Sequence, residues 1–191
     1  MGLTITKQQL AELEKETFDG EIYIVDHPSK VDKAVAYLST QPALGFDTET
    51  KPAFKRGQVN NVALLQLSTE DECFLFRLNK IGYPDALEKL MSNDTIKKIG
   101  LSLRDDFAAL RKRTGRRPEN FIDLQLFVDK FGIEDNSLQK IYAIIFGKKI
   151  SKSQRLSNWE AAELSPAQQS YAAIDAWACL RIYNHLTKTN K

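Results

Sequence analysis

The stretch ALGFDTETKPAFKRGQVNNVALLQLSTEDECFLFR, residues 43–77, decides the fold. It holds three short apolar runs, Leu44 to Thr48, Val62 to Leu67 and Cys73 to Arg77, of strand length and bounded by polar or Pro/Gly-containing connections. Three successive strands with short links predict hairpins. Upstream, Glu21 to Val25 reads as another strand and Val31 to Ser39 as a helix. Downstream the pattern alternates: a helix over Pro84 to Met91, a strand over Ile96 to Leu101, a helix over Asp106 to Arg113 and a strand over Phe121 to Asp123. Helices then fill Leu124 to Phe131, Leu138 to Phe146 and Pro166 to Thr187. Hairpins followed by parallel additions give a three-layer α/β architecture, a mixed β-sheet flanked by helices.

Acidic residues are set into this apolar framework at three places. In the first, Asp47 and Glu49 fall two apart on a strand, so both project from one face with Cα atoms roughly 6.6 Å apart, while Thr48 points away. In the last, Tyr171 and Asp175 are four apart on a helix opened by Ser165 as N-cap and Pro166 in the first turn. They share a face with Ile174, Ala178, Ile182 and Leu186, which places a carboxylate in an apolar stripe. A buried charge there calls for a metal or a strong donor. In the middle segment, LSLRDDFAAL, Asp105 reads as a helix cap. Asp106 lies three residues after Leu103 and four before Leu110, so it looks inward and is taken as the ligand, with Asp105 as its substitute. Hard oxygen donors of this kind suit Mg²⁺ or Mn²⁺, and the set outlines a two-metal phosphodiesterase site.

Four ordered blocks, GFDTET, VALLQLST, KKIGLSLRDDFAALR and ISKSQRLSNWEAAELSPAQQSYAAIDAWACLRIY, resemble the DEDDy family of 3′-5′ exonucleases, especially the branch of ribonuclease D and the Werner-syndrome-helicase exonuclease. The resemblance runs over residues 22–186. It implies a ribonuclease H-like fold, two divalent ions (Mg²⁺ or Mn²⁺), and hydrolysis of DNA or RNA from the 3′ end to nucleoside 5′-monophosphates. It puts the metal-binding and catalytic carboxylates on Asp47, Glu49, Asp106 and Asp175, and the tyrosine on Tyr171. A sister subfamily carries His five residues before the last Asp, where this chain has Ser170, so the tyrosine variety is indicated. Thr50 departs from the pattern, since several members carry a bulky aromatic after the Glu; its contact to the terminal nucleotide is expected to differ. The alternative is a catalytically silent nucleic-acid-binding or scaffolding domain of the same fold. Loss of an acid would be its sign, and all four acids are present.

Basic side chains near these blocks are candidate phosphate contacts: Lys51, Lys55 and Arg56 after the first acids, and Lys148, Lys149, Lys152 and Arg155 before Ser157-Asn158-Trp159. Of these, Lys152 and Arg155 lie within the family-like block. Arg111 to Arg113 with Arg116 and Arg117 read as a helix end and its turn. The net charge of +2 gives no overall polyanion-binding character, so substrate affinity has to rest on local patches. Apolar residues make up 42%, enough for a packed core, and the 191 residues are read as one exonuclease domain with an N-terminal helical extension over residues 1–20. Thr6 and Gln9 fit a capping box opening a helix over Lys7 to Lys15, a reading preferred over an N-myristoylation signal. Cys73 and Cys179 show neither metal spacing nor a disulfide framework. No apolar run reaches the ~20 residues of a membrane span, and a soluble, cytoplasmic protein with a nucleic-acid 3′ end as its partner is expected.

Overall fold

The computed structural model describes residues 2–55, 57–113 and 115–189. Six strands, β1 (Glu21–Val25), β2 (Ala43–Thr50), β3 (Val62–Ser68), β4 (Glu72–Phe76), β5 (Lys97–Gly100) and β6 (Phe121–Asp123), form one sheet in the order β1-β4-β3-β2-β5-β6. Both expected hairpins are present, β2 antiparallel to β3 and β3 to β4. The parallel additions follow, with β5 beside β2, β6 beside β5, and β1 beside β4. The helices are α1 (Lys7–Glu12), α2 (Val31–Leu38), α3 (Leu78–Ile81), α4 (Asp85–Met91), α5 (Arg104–Arg111), α6 (Leu124–Val128), α7 (Leu138–Phe146) and α8 (Pro166–Lys188).

Strand alternation sorts the side chains into two layers of core. Phe46, Leu65, Leu67, Phe74 and Phe76 pack with Leu38 of α2, Leu87 and Leu90 of α4, and Leu110 of α5. On the other face, Leu64, Cys73 and Leu75 meet Trp159, Ala172 and Ala173, while Ile99 joins Tyr142 of α7 and Ala178 and Ile182 of α8. The outcome is the three-layer arrangement expected from the sequence, with α8 as the long member of one layer.

The start of α8 is fixed by a reciprocal cap: Gln168 N–H donates to Ser165 Oγ at 3.2 Å, and Ser165 N–H donates to Gln168 Oε1 at 3.0 Å. Farther along, Trp177 Nε1 donates to the Glu70 carbonyl at 2.9 Å and Asn184 Nδ2 to Glu70 Oε1 at 2.8 Å, tying the helix to the β3–β4 turn. Between these anchors α8 presses on β2, where a Cβ added at Gly45 would come within 2.0 Å of the Ala176 carbonyl oxygen.

Several boundaries differ from the sequence reading. The first helix stops at Glu12 instead of running to Lys15, because the chain beyond it is drawn into extended pairing with residue 149. Lys149 N–H donates to Glu14 O, and Glu16 N–H to Lys149 O, each at 2.9 Å. The capping box of Thr6 and Gln9 is present. Helix α5 opens at Arg104 after Leu103 as N-cap, with no side chain capping its first amides; the turn before it is held from another strand, where Ser102 and Leu103 N–H donate to the Asp123 carboxylate at 3.0 and 2.9 Å. Asp105 therefore does not cap it. The run expected as one helix to Phe131 is α6 followed by a 3₁₀ turn over Asp129–Phe131, and the short α3 had no expected counterpart.

Gly45→Ala is expected to lower unfolding stability by about 3 kcal/mol, since a backbone carbonyl cannot yield as a side chain would. Urea unfolding at fixed pH measures it, and a loss below about 1 kcal/mol would show that α8 can ride up without cost.

Candidate active site

Asp47 and Glu49 stand on the end of β2, on the face covered by α8, and Asp175 comes down from the helix to meet them. One carboxylate oxygen from each lies within 4.8 Å of the others. Asp175 is only 8% exposed, and Asp47 and Glu49 are half-buried. Just past Glu49 the pairing with β3 slips, Glu49 facing Leu64 but Thr50 facing Val62, so Ala63 is an extra residue at the strand end. Such irregularities twist a strand and re-aim its side chains. Thr48 projects to the opposite face, as the alternation requires, yet it does not stand apart from the acids: its hydroxyl donates to Asp106 Oδ1. Asp106 is half-buried in the first turn of α5 while Asp105 is exposed, which matches the inward orientation expected of the former. Asp106 nevertheless lies outside the three-carboxylate group, held by Thr48.

Electrostatics set this cluster apart from an ordinary acidic surface. Burial raises the Asp47 pKa well above the usual carboxylate range, with the charges of Asp175, Glu49 and Asp106 adding to it; the Thr48 N–H, donating to Asp47 Oδ1 at 2.9 Å, opposes the rise. Glu49 is pushed up to about 9 by burial and by Asp175 and Asp106, with Arg155 pulling the other way. Asp175 is pushed to about 7 by burial, against a hydrogen bond from Tyr171 and the charge of Lys152. Asp106 rises to about 6 through burial, offset by the Thr48 hydroxyl. Tyr171 is raised too, by burial first and then by Asp175 and Glu49, so its hydroxyl stays protonated. None of the ion pairs among the described residues involves these four carboxylates. Clustered hard oxygen donors without an ion-pair partner among the described residues fit a divalent metal ion.

A cleft of about 310 Å³ opens on the cluster, lined by Asp47, Tyr171 and Asp175 together with Gln125, Lys152 and Arg155. Lys152 and Arg155 are exposed at its rim; Thr50, next to Glu49 in β2, is exposed but does not line the cleft. Other basic candidates lie differently. Lys51 is 3.5 Å from Glu160 and so links the β2–β3 connection to the loop after Trp159. Lys148 donates to Glu16 at 3.1 Å and Lys149 to the Ala11 carbonyl, so both hold the N-terminal segment in place. Lys55 is exposed and Arg56 lies outside the described residues. Residues that the sequence reading did not single out also enter the picture: Thr48 through Asp106, Asp123 through the turn before α5, and Gln66, the buried partner of Asp47 across the sheet. Gln66 carried a legible signal, a polar residue inside the apolar run VALLQL.

A mixed sheet with helices on both faces and acids gathered at its centre is the ribonuclease H-like fold. The solved exonuclease domain of Aedes aegypti Nibbler superposes with a TM-score of 0.77 at 24% identity, over 98% of this chain and 91% of that one. Escherichia coli RNase D gives 0.78 at 22% identity, over 87% and 44%. A sequence profile described as 3′-5′ exonuclease matches residues 22–191, and the chain belongs to that family. Curated relatives include the mouse bifunctional 3′-5′ exonuclease/ATP-dependent helicase WRN, 34% identical over 78% of this chain and 11% of its own length. An exonuclease 3′-5′ domain-containing protein 2 of Drosophila melanogaster is 33% identical over 80% of this chain and 26% of its own. The chain thus spans only a fraction of the length of these relatives.

The raised carboxylate pKa values fix the sign of a pH effect. A carboxylate whose pKa is higher folded than unfolded binds protons preferentially in the folded state, so its contribution is complete below the unfolded value near 4 and is lost as pH rises through the folded value. The metal-free protein is expected to lose stability progressively from about pH 4, with the loss complete near pH 6 for Asp106 and near pH 9 for Glu49. Mn²⁺ is expected to reverse the loss. Asp47→Asn is expected to raise the metal-free melting temperature at pH 8 by about 2–4 °C for each kcal/mol of repulsion relieved; thermal melts across pH with and without metal check both.

Proposed function

We propose that this chain is an active, metal-dependent 3′-5′ exonuclease that removes nucleoside 5′-monophosphates from DNA or RNA. The observation that carries the reading is the meeting of Asp47, Glu49 and Asp175 within 4.8 Å, with Tyr171 one helical turn before Asp175. Asp47, Glu49 and Asp175 would hold divalent ions, two Mg²⁺ or Mn²⁺ in the full set, with Asp106 as the fourth carboxylate. Bound there, such ions would lower the pKa of the attacking water and neutralise charge on the leaving 3′-oxygen. The protein's own groups supply the rest. Tyr171, kept protonated by its surroundings, orients the attacking water by hydrogen bonding and does not serve as the base. Lys152 and Arg155, at the cleft rim, offset phosphate charge.

Exposed apolar side chains close in sequence to site residues support a nucleic-acid path. The most exposed large apolar side chains among the described residues are Phe54 (84%), Val59, Leu126 and Leu156 (71%). Phe54 and Val59 follow the first acids along the chain, Leu126 adjoins Gln125 of the cleft, and Leu156 adjoins Arg155. Apolar side chains interleaved with cations suit bases and phosphates of a single strand. Cys73 and Cys179 are both free and buried, in keeping with a reducing, cytoplasmic setting. No helix among the described residues is long and apolar enough to cross a membrane.

With 5′-labelled single-stranded DNA, single-stranded RNA and a 3′-recessed duplex, Mg²⁺ or Mn²⁺ is expected to yield a ladder shortening from the 3′ end. EDTA and Asp47→Asn should abolish it, and Tyr171→Phe should reduce kcat about 100-fold with little change in KM. Binding without cleavage of any substrate would favour the silent nucleic-acid-binding alternative. A Tyr171→Phe defect confined to KM would reassign the tyrosine to substrate contact.

A further inference from the structure

Gln66 lies in the middle of β3, paired directly with Asp47 of β2. Opposed residues of an antiparallel pair project to the same face with Cβ atoms about 4.5–5.5 Å apart. Its neighbours Leu65 and Leu67 go to the opposite core, so the amide is on the α8 side with the carboxylates. Gln66 is 0% exposed, yet neither Oε1 nor Nε2 has a hydrogen-bond partner among the described residues. Every other β3 side chain from Val62 to Leu67 is apolar, and a Leu or Met would fill the same space without stranding two polar atoms. A cost retained beside the central acid of a cluster points to a task at that cluster.

We infer that Gln66 is a positioning residue for Asp47. Its Nε2–H₂ donates to the Asp47 carboxylate when that group holds a divalent cation, keeping it turned toward Glu49 and Asp175. The Thr48 N–H already restrains Oδ1 from the strand, and Gln66 adds the restraint from the neighbouring strand. This role rests on the exonuclease reading above for its catalytic consequence, but not for its effect on metal binding.

The test is Gln66→Met, close in shape and without the amide. Three quantities are compared with wild type: the melting temperature of the metal-free protein, Mn²⁺ affinity by calorimetry, and kcat and KM on a 5′-labelled single strand over a range of Mn²⁺ concentrations. The metal-free melting temperature should hold or rise by about 2–4 °C as the stranded atoms are removed. Mn²⁺ affinity should weaken about 10–100-fold, and kcat should fall, recovering in part at high Mn²⁺, with KM for the strand little changed. Wild-type Mn²⁺ affinity and kcat in the variant would reduce Gln66 to a space-filler and overturn the inference. A metal-free melting temperature lower by more than about 5 °C would overturn it as well, by showing the amide to be partnered in the resting protein. Gln66→Leu repeats the comparison if the Met variant fails to fold. If wild type binds Mn²⁺ but cleaves nothing, the exonuclease reading fails, and the calorimetry still decides the role of Gln66.

Discussion

The closeness of α8 to β2 governs the rest of this molecule. At Gly45 the strand has no Cβ, and the Ala176 carbonyl occupies the space one would need. The helix meets the sheet through small side chains, Ala172, Ala173 and Ala176, all fully buried. Asp175 immediately precedes that point of closest approach on the helix, and Asp47 is two residues past it on the strand. Close approach thus becomes close carboxylates. A bulkier interface would lift α8 and part the acids while leaving every element intact. The anchors at either end, the Ser165–Gln168 cap and the bonds of Trp177 and Asn184 to Glu70, keep the helix from sliding along the sheet.

A second buried acid shows what the chain does when it means to satisfy one. Glu16, 4% exposed, accepts from the Tyr142 hydroxyl at 2.6 Å, Arg181 at 2.8 Å and Lys148 at 3.1 Å. The Arg181 guanidinium is itself stacked over Phe146 and Trp177 at 4.5 and 4.7 Å. Burial works against the Glu16 charge, but these donors prevail and its pKa is lowered. Asp47, Glu49 and Asp175 have no ion-pair partner among the described residues, and their pKa values all go up. One protein therefore contains a buried carboxylate completed by its own cations and a carboxylate group that is not, which fits the divalent ions proposed above. The contrast separates a structural ion pair, which closes the N-terminal segment onto α7 and α8, from a binding site.

Much of this was legible in the sequence, for reasons that differ from residue to residue. Asp47 and Glu49 were readable because a strand's period of two puts them on one face, and Tyr171 with Asp175 because a helix puts residues four apart on one face. Ser165 as N-cap, the strand Phe121–Asp123 and the helix Leu138–Phe146 were equally readable, their signals being local. What escaped depends on contacts distant along the chain. Helix α1 ends early because residue 149 competes for its backbone, and the turn leading into α5 is held by Asp123, some twenty residues away. The Thr48–Asp106 bond joins residues 58 apart. Lys148 and Lys149 lay in a stretch that looked like a phosphate contact, and only the path of the N-terminal segment shows them committed to Glu16 and Ala11.

The field that strains the acids also defines the tyrosine. Tyr171 is half-buried next to Asp175 and within the field of Glu49 and Asp47, and each of these neighbours disfavours a phenolate. Its hydroxyl is consequently a persistent donor, and it steadies Asp175, whose pKa it pulls downward. A group held protonated above the ordinary tyrosine range cannot accept a proton from water near neutral pH. It can still fix where a water sits. The carboxylates have the opposite prospect, since burial raises the pKa of each of them, with neighbouring charge adding to the rise at Asp47 and Glu49, and positive charge would offset that bias. Cations that ionise the acids would leave the neighbouring tyrosine a donor as long as the compensated site keeps the phenol buried. On the exonuclease reading proposed above, bound cations would ease loss of the attacking water's proton, and Tyr171 would serve to orient that water.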